Sequence, residues 1–123
     1  MKKATLDTDI ITAFLKNDKQ VVEKVSIYLE SFDELNINII AYYEIMRGLK
    51  DLGNKGKLEK FEEFISENKI ISLGKEAAEK ASDIYAFLKK KGNLIQDADI
   101  LIAAIAMAEG LVLVTNNTKH FNR

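Results

Sequence analysis

The chain has 123 residues, 47% hydrophobic and 30% charged, which suits one compact domain with a core of its own rather than two domains. Its 18 Lys and Arg against 19 Asp and Glu leave a formal charge of −1, which argues against a domain that holds nucleic acid through a broad basic surface. The absence of cysteine excludes a disulfide scaffold, a thiolate nucleophile, an iron–sulfur cluster and a thiolate zinc site, and one histidine, His120, is too few for a histidine-rich metal centre.

Lys3 to Leu6 is a short strand-like run that ends on Asp7-Thr8-Asp9 and passes into Ile10, Ile11, Phe14 and Leu15 at helical spacing. Val21, Val22, Val25, Tyr28, Leu29 and Phe32 define a second amphipathic helix. Asn36 to Ile39 alternates polar and apolar as a short strand does, and from Ala41 to Leu52 the pattern is helical until Gly53, Asn54 and Gly56 end it. Leu58, Phe61, Phe64 and Ile65 mark a further helix, with Ile70-Ile71 a minimal strand after it. Ala77, Ala81, Ile84, Tyr85 and Leu88 give a long helix that ends in three lysines, Lys89 to Lys91, and Gly92, cations being favourable at a helix C-terminus. Asp97 to Ala108 is apolar on nearly every side beyond its two aspartates and predicts a buried helix. Leu111 to Val114 is an unbroken apolar run, which predicts a parallel strand covered on both faces.

Strands alternating with helices predict an α/β fold, a single three-layer domain over residues 1–123 with a parallel sheet of about four strands flanked by helices. Without proline, its elements are expected to join through Gly and Asn turns. No apolar stretch approaches the roughly 18–20 residues of a membrane span, and no charged segment followed by an apolar one marks an export signal, so a cytoplasmic protein is expected.

In an open parallel sheet, ligands bind beyond the carboxyl ends of the strands, where helix N-termini also point. Asp7, Asp9, Glu44, Asp97, Asp99, Thr115, Asn116 and Asn117 are all predicted at that edge. They form an oxygen-rich set with no nitrogen or sulfur ligand, which suits Mg²⁺ or Mn²⁺. Each also has a plainer role. Aspartates at helix starts cap free N–H groups, a contribution of about 0.5–2 kcal/mol. Glu44 interrupts an apolar stretch and has Arg47 three residues on as an ordinary ion-pair partner. Asp99 stands against the apolar run Ile100 to Met107 with no cation in the next turn, and a metal would explain both acids. His120 reads as a surface residue, and Lys89 to Lys91 as a solvated helix end, with contact to RNA phosphate as the alternative.

Leu6-Asp7-Thr8-Asp9-Ile10, Tyr43-Glu44-Ile45-Met46-Arg47-Gly48-Leu49, Gly92-Asn93-Leu94-Ile95 with Asp99 to Ala104, Leu113 to Asn117, and His120-Phe121 occur in an order and at separations that are specific as a set. On these residues the chain resembles the PIN-domain ribonucleases, and within them the VapC toxins of bacterial and archaeal toxin–antitoxin pairs. The resemblance implies that Asp7, Glu44 and Asp99 are catalytic acids holding one or two Mg²⁺ or Mn²⁺ ions. The fourth acidic position of the family falls on Asn117, or on Asn116 if the match slips by one, which removes a charge there. A hydroxyl residue common in the family three before the second acid is Ala41 here. The implied activity is Mg²⁺-dependent hydrolysis of RNA phosphodiester bonds. The implied partners are a VapB-like antitoxin, whose arginine would enter the acidic site, and a second copy of the chain in a homodimer.

Two other functions fit parts of the chain. Asp7-Thr8-Asp9 imitates the nucleophile and acid of haloacid-dehalogenase-like phosphatases, although Ile11 departs from that motif. A non-catalytic PIN-like binding module is the other, and it would typically have lost acids that this chain keeps. A bound divalent cation would turn the formal charge sum positive and make an acidic cleft attractive to phosphate.

Overall fold

The computed structural model describes residues 1–115. The elements follow in the order β1 (Ala4–Leu6), α1 (Thr8–Leu15), α2 (Lys19–Ser31), β2 (Asn36–Asn38), α3 (Ile39–Leu52), α4 (Lys55–Ser66), β3 (Lys69–Ile71), α5 (Lys75–Lys91), α6 (Asp97–Ala108) and β4 (Val112–Val114). The strands form a four-stranded sheet in the order β3-β2-β1-β4. All pairs are parallel, with Leu6 opposite Ile37 on one side and opposite Val114 on the other, and Ile37 opposite Ile70.

Local chemistry explains where the helices begin and end. Asp18 accepts from the backbone N–H groups of Gln20 and Val21 to start α2, and Asn54 accepts from Lys57 N–H to start α4. Gly53 and Gly92 close α3 and α5 in the left-handed conformation, with φ of 67° and 72°, which a residue with a Cβ adopts only at a cost.

Two layers of packing enclose the sheet. Leu6 and Ile37 join Ile10, Ile11, Val25, Leu35, Ala41 and Phe61 in one cluster on the α1–α4 side. Burying a side chain such as Phe61 or Ile11 contributes about 1.5–3 kcal/mol. On the other side Ala81 and Leu88 of α5 meet Ile100 and Ala104 of α6, while Ala77 meets Ile105. The late residues of α5 thus pack on the early residues of α6. The helices are antiparallel, so the end of α5 and the start of α6, with Asp97 and Asp99, lie at one end of this layer.

Three details depart from the patterning. The apolar run at Val112–Val114 is not covered on both faces: Val112 is 46% and Val114 36% exposed, and among the described residues β4 is an edge strand paired only with β1. The polar–apolar alternation of β2 does not mark a solvated face either, since Asn36, Ile37 and Asn38 are all buried. Asn36 donates to Ala4 O and Asn38 to Ile102 O, so each amide has a partner inside the protein. Finally, α3 starts two residues earlier than its periodicity suggests, because Asn38 accepts from Ile40 N–H and caps it directly at the end of β2.

Candidate active site

Asp7 extends β1 by one residue. Its N–H donates to Val114 O at 2.9 Å, continuing the ladder with β4, and its carboxylate then turns to cap α1, accepting from Thr8 N–H at 2.6 Å. The other carboxylate oxygen accepts from the Thr115 hydroxyl at 2.5 Å, just past the end of β4. The residue is 4% exposed. Burial raises its pKa above the ordinary 3.8; hydrogen bonds from Thr115 and Thr8 oppose the shift, and the nearby carboxylates of Asp9 and Asp99 add to it. Asp7 is therefore a helix cap as well as a buried acid, and capping alone does not explain a carboxylate desolvated beside two others.

Glu44 enters from the second turn of α3, six residues past the Asn38 cap. Its Oε1 accepts from the Thr8 hydroxyl at 2.7 Å. Thr8 thus joins two of the three acids, through its N–H to Asp7 and its hydroxyl to Glu44. The ion pair between Glu44 and Arg47 is not the arrangement found: the Arg47 guanidinium carbon lies 5.1 Å from the centroid of the Tyr43 ring. Asp99 is half-buried in the first turn of α6 and is near enough to Asp7 to act on its ionisation.

The remaining candidates separate. Asp9 and Asp97 are exposed, in the first turns of α1 and α6, and Gln96 rather than Asp97 occupies the N-cap of α6. Asn116, Asn117 and His120 lie outside the described residues. Patterning had placed Thr8 only as the middle of an Asp-Thr-Asp turn. Its contact with Glu44 spans 36 positions of sequence, and no local signal marks it.

Among the described residues no three Asp, Glu, His or Cys side chains stand together as a ready-made metal group. The donor chemistry nevertheless suits a divalent cation. A carboxylate has about four acceptor positions, of which hydrogen bonds use two on Asp7 and one on Glu44. The charged neighbours acting on buried Asp7 among the described residues are both acids, and a hard cation with oxygen ligands relieves that repulsion. Asp7, Glu44 and Asp99 are the residues that could hold it.

Comparison with known proteins shows the family. The model of the PIN domain matches residues 4–123. The chain is similar to "Ribonuclease VapC1" of Methanocaldococcus jannaschii, 32% identical over 98% of this chain and 80% of that protein. It is also similar to the "tRNA(fMet)-specific endonuclease VapC" of Salmonella typhimurium, 31% identical over 100% of this chain and 92% of that one. Among solved structures, VapBC2 from Rickettsia felis bound to a DNA fragment from its promoter superposes with a TM-score of 0.87 at 28% identity, over 98% of this chain and 91% of that one.

Proposed function

The chain belongs to the PIN-domain family and groups with its VapC ribonucleases, and from that premise we infer how its own residues serve the reaction and with whom it acts. It is a hydrolase of RNA phosphodiester bonds and the toxin of a VapBC-type pair. Its partner is a VapB-like antitoxin, as the VapBC complexes of similar fold support. The activity depends on a divalent metal, which we assign as Mg²⁺, with Mn²⁺ as its substitute. We further assign a cytoplasmic location and a homodimer.

Asp7, Glu44 and Asp99 would hold the cation, and Asn117, or Asn116 if the match slips by one, stands in the sequence where the family has its fourth acid and would leave that position uncharged. A divalent cation held there would supply Lewis acidity, to activate water and to offset developing negative charge. The chain supplies the placement. Asp7 is fixed from both sides, by Thr8 and Thr115, and Glu44 is held to the same corner by Thr8. Burial of Asp7 keeps bulk water from screening the charges that gather there. The observation that carries this reading is the buried Asp7 carboxyl, raised in pKa with Asp99 among its causes, at the end of a central strand. An acid kept desolvated beside other acids has work to do with a cation.

The phosphatase reading through Asp7 and Asp9 is set aside because the chain matches the PIN domain over residues 4–123 and VapC ribonucleases over nearly its whole length. The purified protein is expected to cleave RNA with Mg²⁺ and to stop when EDTA is added. Equal cleavage in EDTA would refute the metal dependence, and RNA binding without cleavage at any Mg²⁺ concentration would make the chain a non-catalytic binding module.

A further inference from the structure

Resting on the ribonuclease reading, we propose that Tyr43 and Arg47 form the RNA-gripping flank of the site. The Tyr43 ring stacks a base next to the scissile linkage, and the Arg47 guanidinium engages the adjoining phosphate. Residues four apart on a helix are neighbours, and Arg47 indeed sits over the Tyr43 ring, 5.1 Å from its centroid. Glu44, one residue after Tyr43 and three before Arg47, is turned toward Thr8. The pair therefore borders the acid it flanks without being consumed by it.

Exposure and charge decide what this surface is for. Tyr43 is 56% exposed and Arg47 is exposed with it, although both lie beside a half-buried carboxylate. An open aromatic ring with a cation on its face is the combination that grips single-stranded nucleic acid. Every base offers a π face to stack, and a guanidinium donates in a planar fork matched to phosphate oxygens. At a formal charge of −1 the chain has no broad basic surface to hold RNA, so phosphates beyond the reach of the site's divalent cation need a side-chain cation placed locally. Arg47 is such a cation on the helix that carries Glu44. A second copy of the chain is the other candidate for this face. A two-fold contact centred on it would bring Arg47 toward its own counterpart, which disfavours self-association as its purpose.

The test separates affinity from chemistry. Cleavage of a random-sequence single-stranded RNA pool with Mg²⁺ is followed for the wild type, Tyr43→Ala, Tyr43→Phe, Arg47→Gln and Arg47→Lys. Leu52→Ala, at the exposed end of the same helix, is the control. RNA affinity is measured by anisotropy in an Asp99→Asn background, where the RNA is expected to survive. Tyr43→Ala and Arg47→Gln are each expected to raise KM and weaken RNA binding by about tenfold, with kcat much less affected. Tyr43→Phe should retain affinity, Arg47→Gln should flatten its salt dependence and Arg47→Lys should preserve it, and Leu52→Ala should match the wild type. Unchanged KM and affinity in Tyr43→Ala and Arg47→Gln, in a protein that cleaves RNA, would overturn the proposal and leave the ribonuclease reading standing. A switch from dimer to monomer in those variants on sedimentation, without loss of RNA affinity, would overturn it in favour of a contact between copies. A wild type that neither binds nor cleaves RNA would remove the ribonuclease reading, and this proposal with it.

Discussion

β2 and β4 lie on either side of β1, and their sequence and burial are inverted. The strand written Asn-Ile-Asn is buried at every position, whereas the strand written Val-Leu-Val leaves both valines open to solvent. Position in the sheet, not hydrophobicity, decides the outcome. β2 has a neighbour on each side and a helix layer on each face. Its asparagines persist there because each amide is hydrogen-bonded, and Asn38 also starts the helix that presents Glu44. Among the described residues β4 is paired only with β1. Its contribution to the site is made just beyond its end, where Thr115 holds the second oxygen of Asp7. The interior strand thus sets one acid through a buried polar frame, and the edge strand steadies another through a single hydroxyl.

The strongest way to sharpen that contrast is at the residue between the two strands. Asp7→Asn keeps an acceptor for Thr8 N–H and a polar partner for Thr115 but removes the charge, so cleavage should fall by about 10²–10³-fold. Because burial raises the Asp7 pKa, the folded state holds its proton over a pH range in which the unfolded chain has already released it. In metal-free buffer, stability should therefore decline as pH rises from 3.8 through the raised value, and this decline should be absent in Asp7→Asn. Thermal melts of both proteins in EDTA, from acid to neutral pH, should show the variant melting higher at neutral pH.

On the β2 side, Asn38→Leu removes the cap on Ile40 N–H and the donor to Ile102 O. It should destabilise the fold by roughly 1–3 kcal/mol in chemical denaturation, since Ile40 N–H loses its cap and Ile102 O its second donor at a fully buried position. Thr8→Val leaves the Glu44 carboxylate without its hydroxyl partner while preserving side-chain shape. It should weaken Mg²⁺ binding by about tenfold in a calorimetric titration, with Thr8→Ser restoring it. The smallest effect is expected on the edge. Val112→Thr should change stability by less than about 0.5 kcal/mol, and a loss comparable to that of Asn38→Leu would show β4 to be covered after all.

Much of the architecture was legible because it is locally encoded. Hydrophobic spacing marked every strand and helix, Gly53 and Gly92 stop helices where the periodicity ends, and the place of Asp7 after the first strand follows from the Leu6-Asp7-Thr8 step alone. What was not legible depends on non-local choices. Strand order determines that β4 is the edge, and no stretch of sequence states it. The burial of Asn36 and Asn38 depends on carbonyls of Ala4 and Ile102 that are 32 and 64 positions away. Of the candidate acids, the sequence distinguishes Asp7 from Asp9 only weakly; the turn from β1 into α1 buries one and exposes the other. The three-residue spacing offers Arg47 as the plainer alternative partner of Glu44, yet Thr8 gives the acid a hydroxyl from a neighbouring helix, and the guanidinium takes the aromatic ring instead.

The central claim is that carboxylates from separate helices act together on RNA through a divalent cation. The most direct measurement compares Mg²⁺-dependent RNA cleavage by the wild type and by Asp99→Asn, whose carboxyl is carried on a separate helix, α6. With the fold intact by circular dichroism, the variant should lose at least about a hundredfold in rate. Full cleavage by Asp99→Asn would contradict the account.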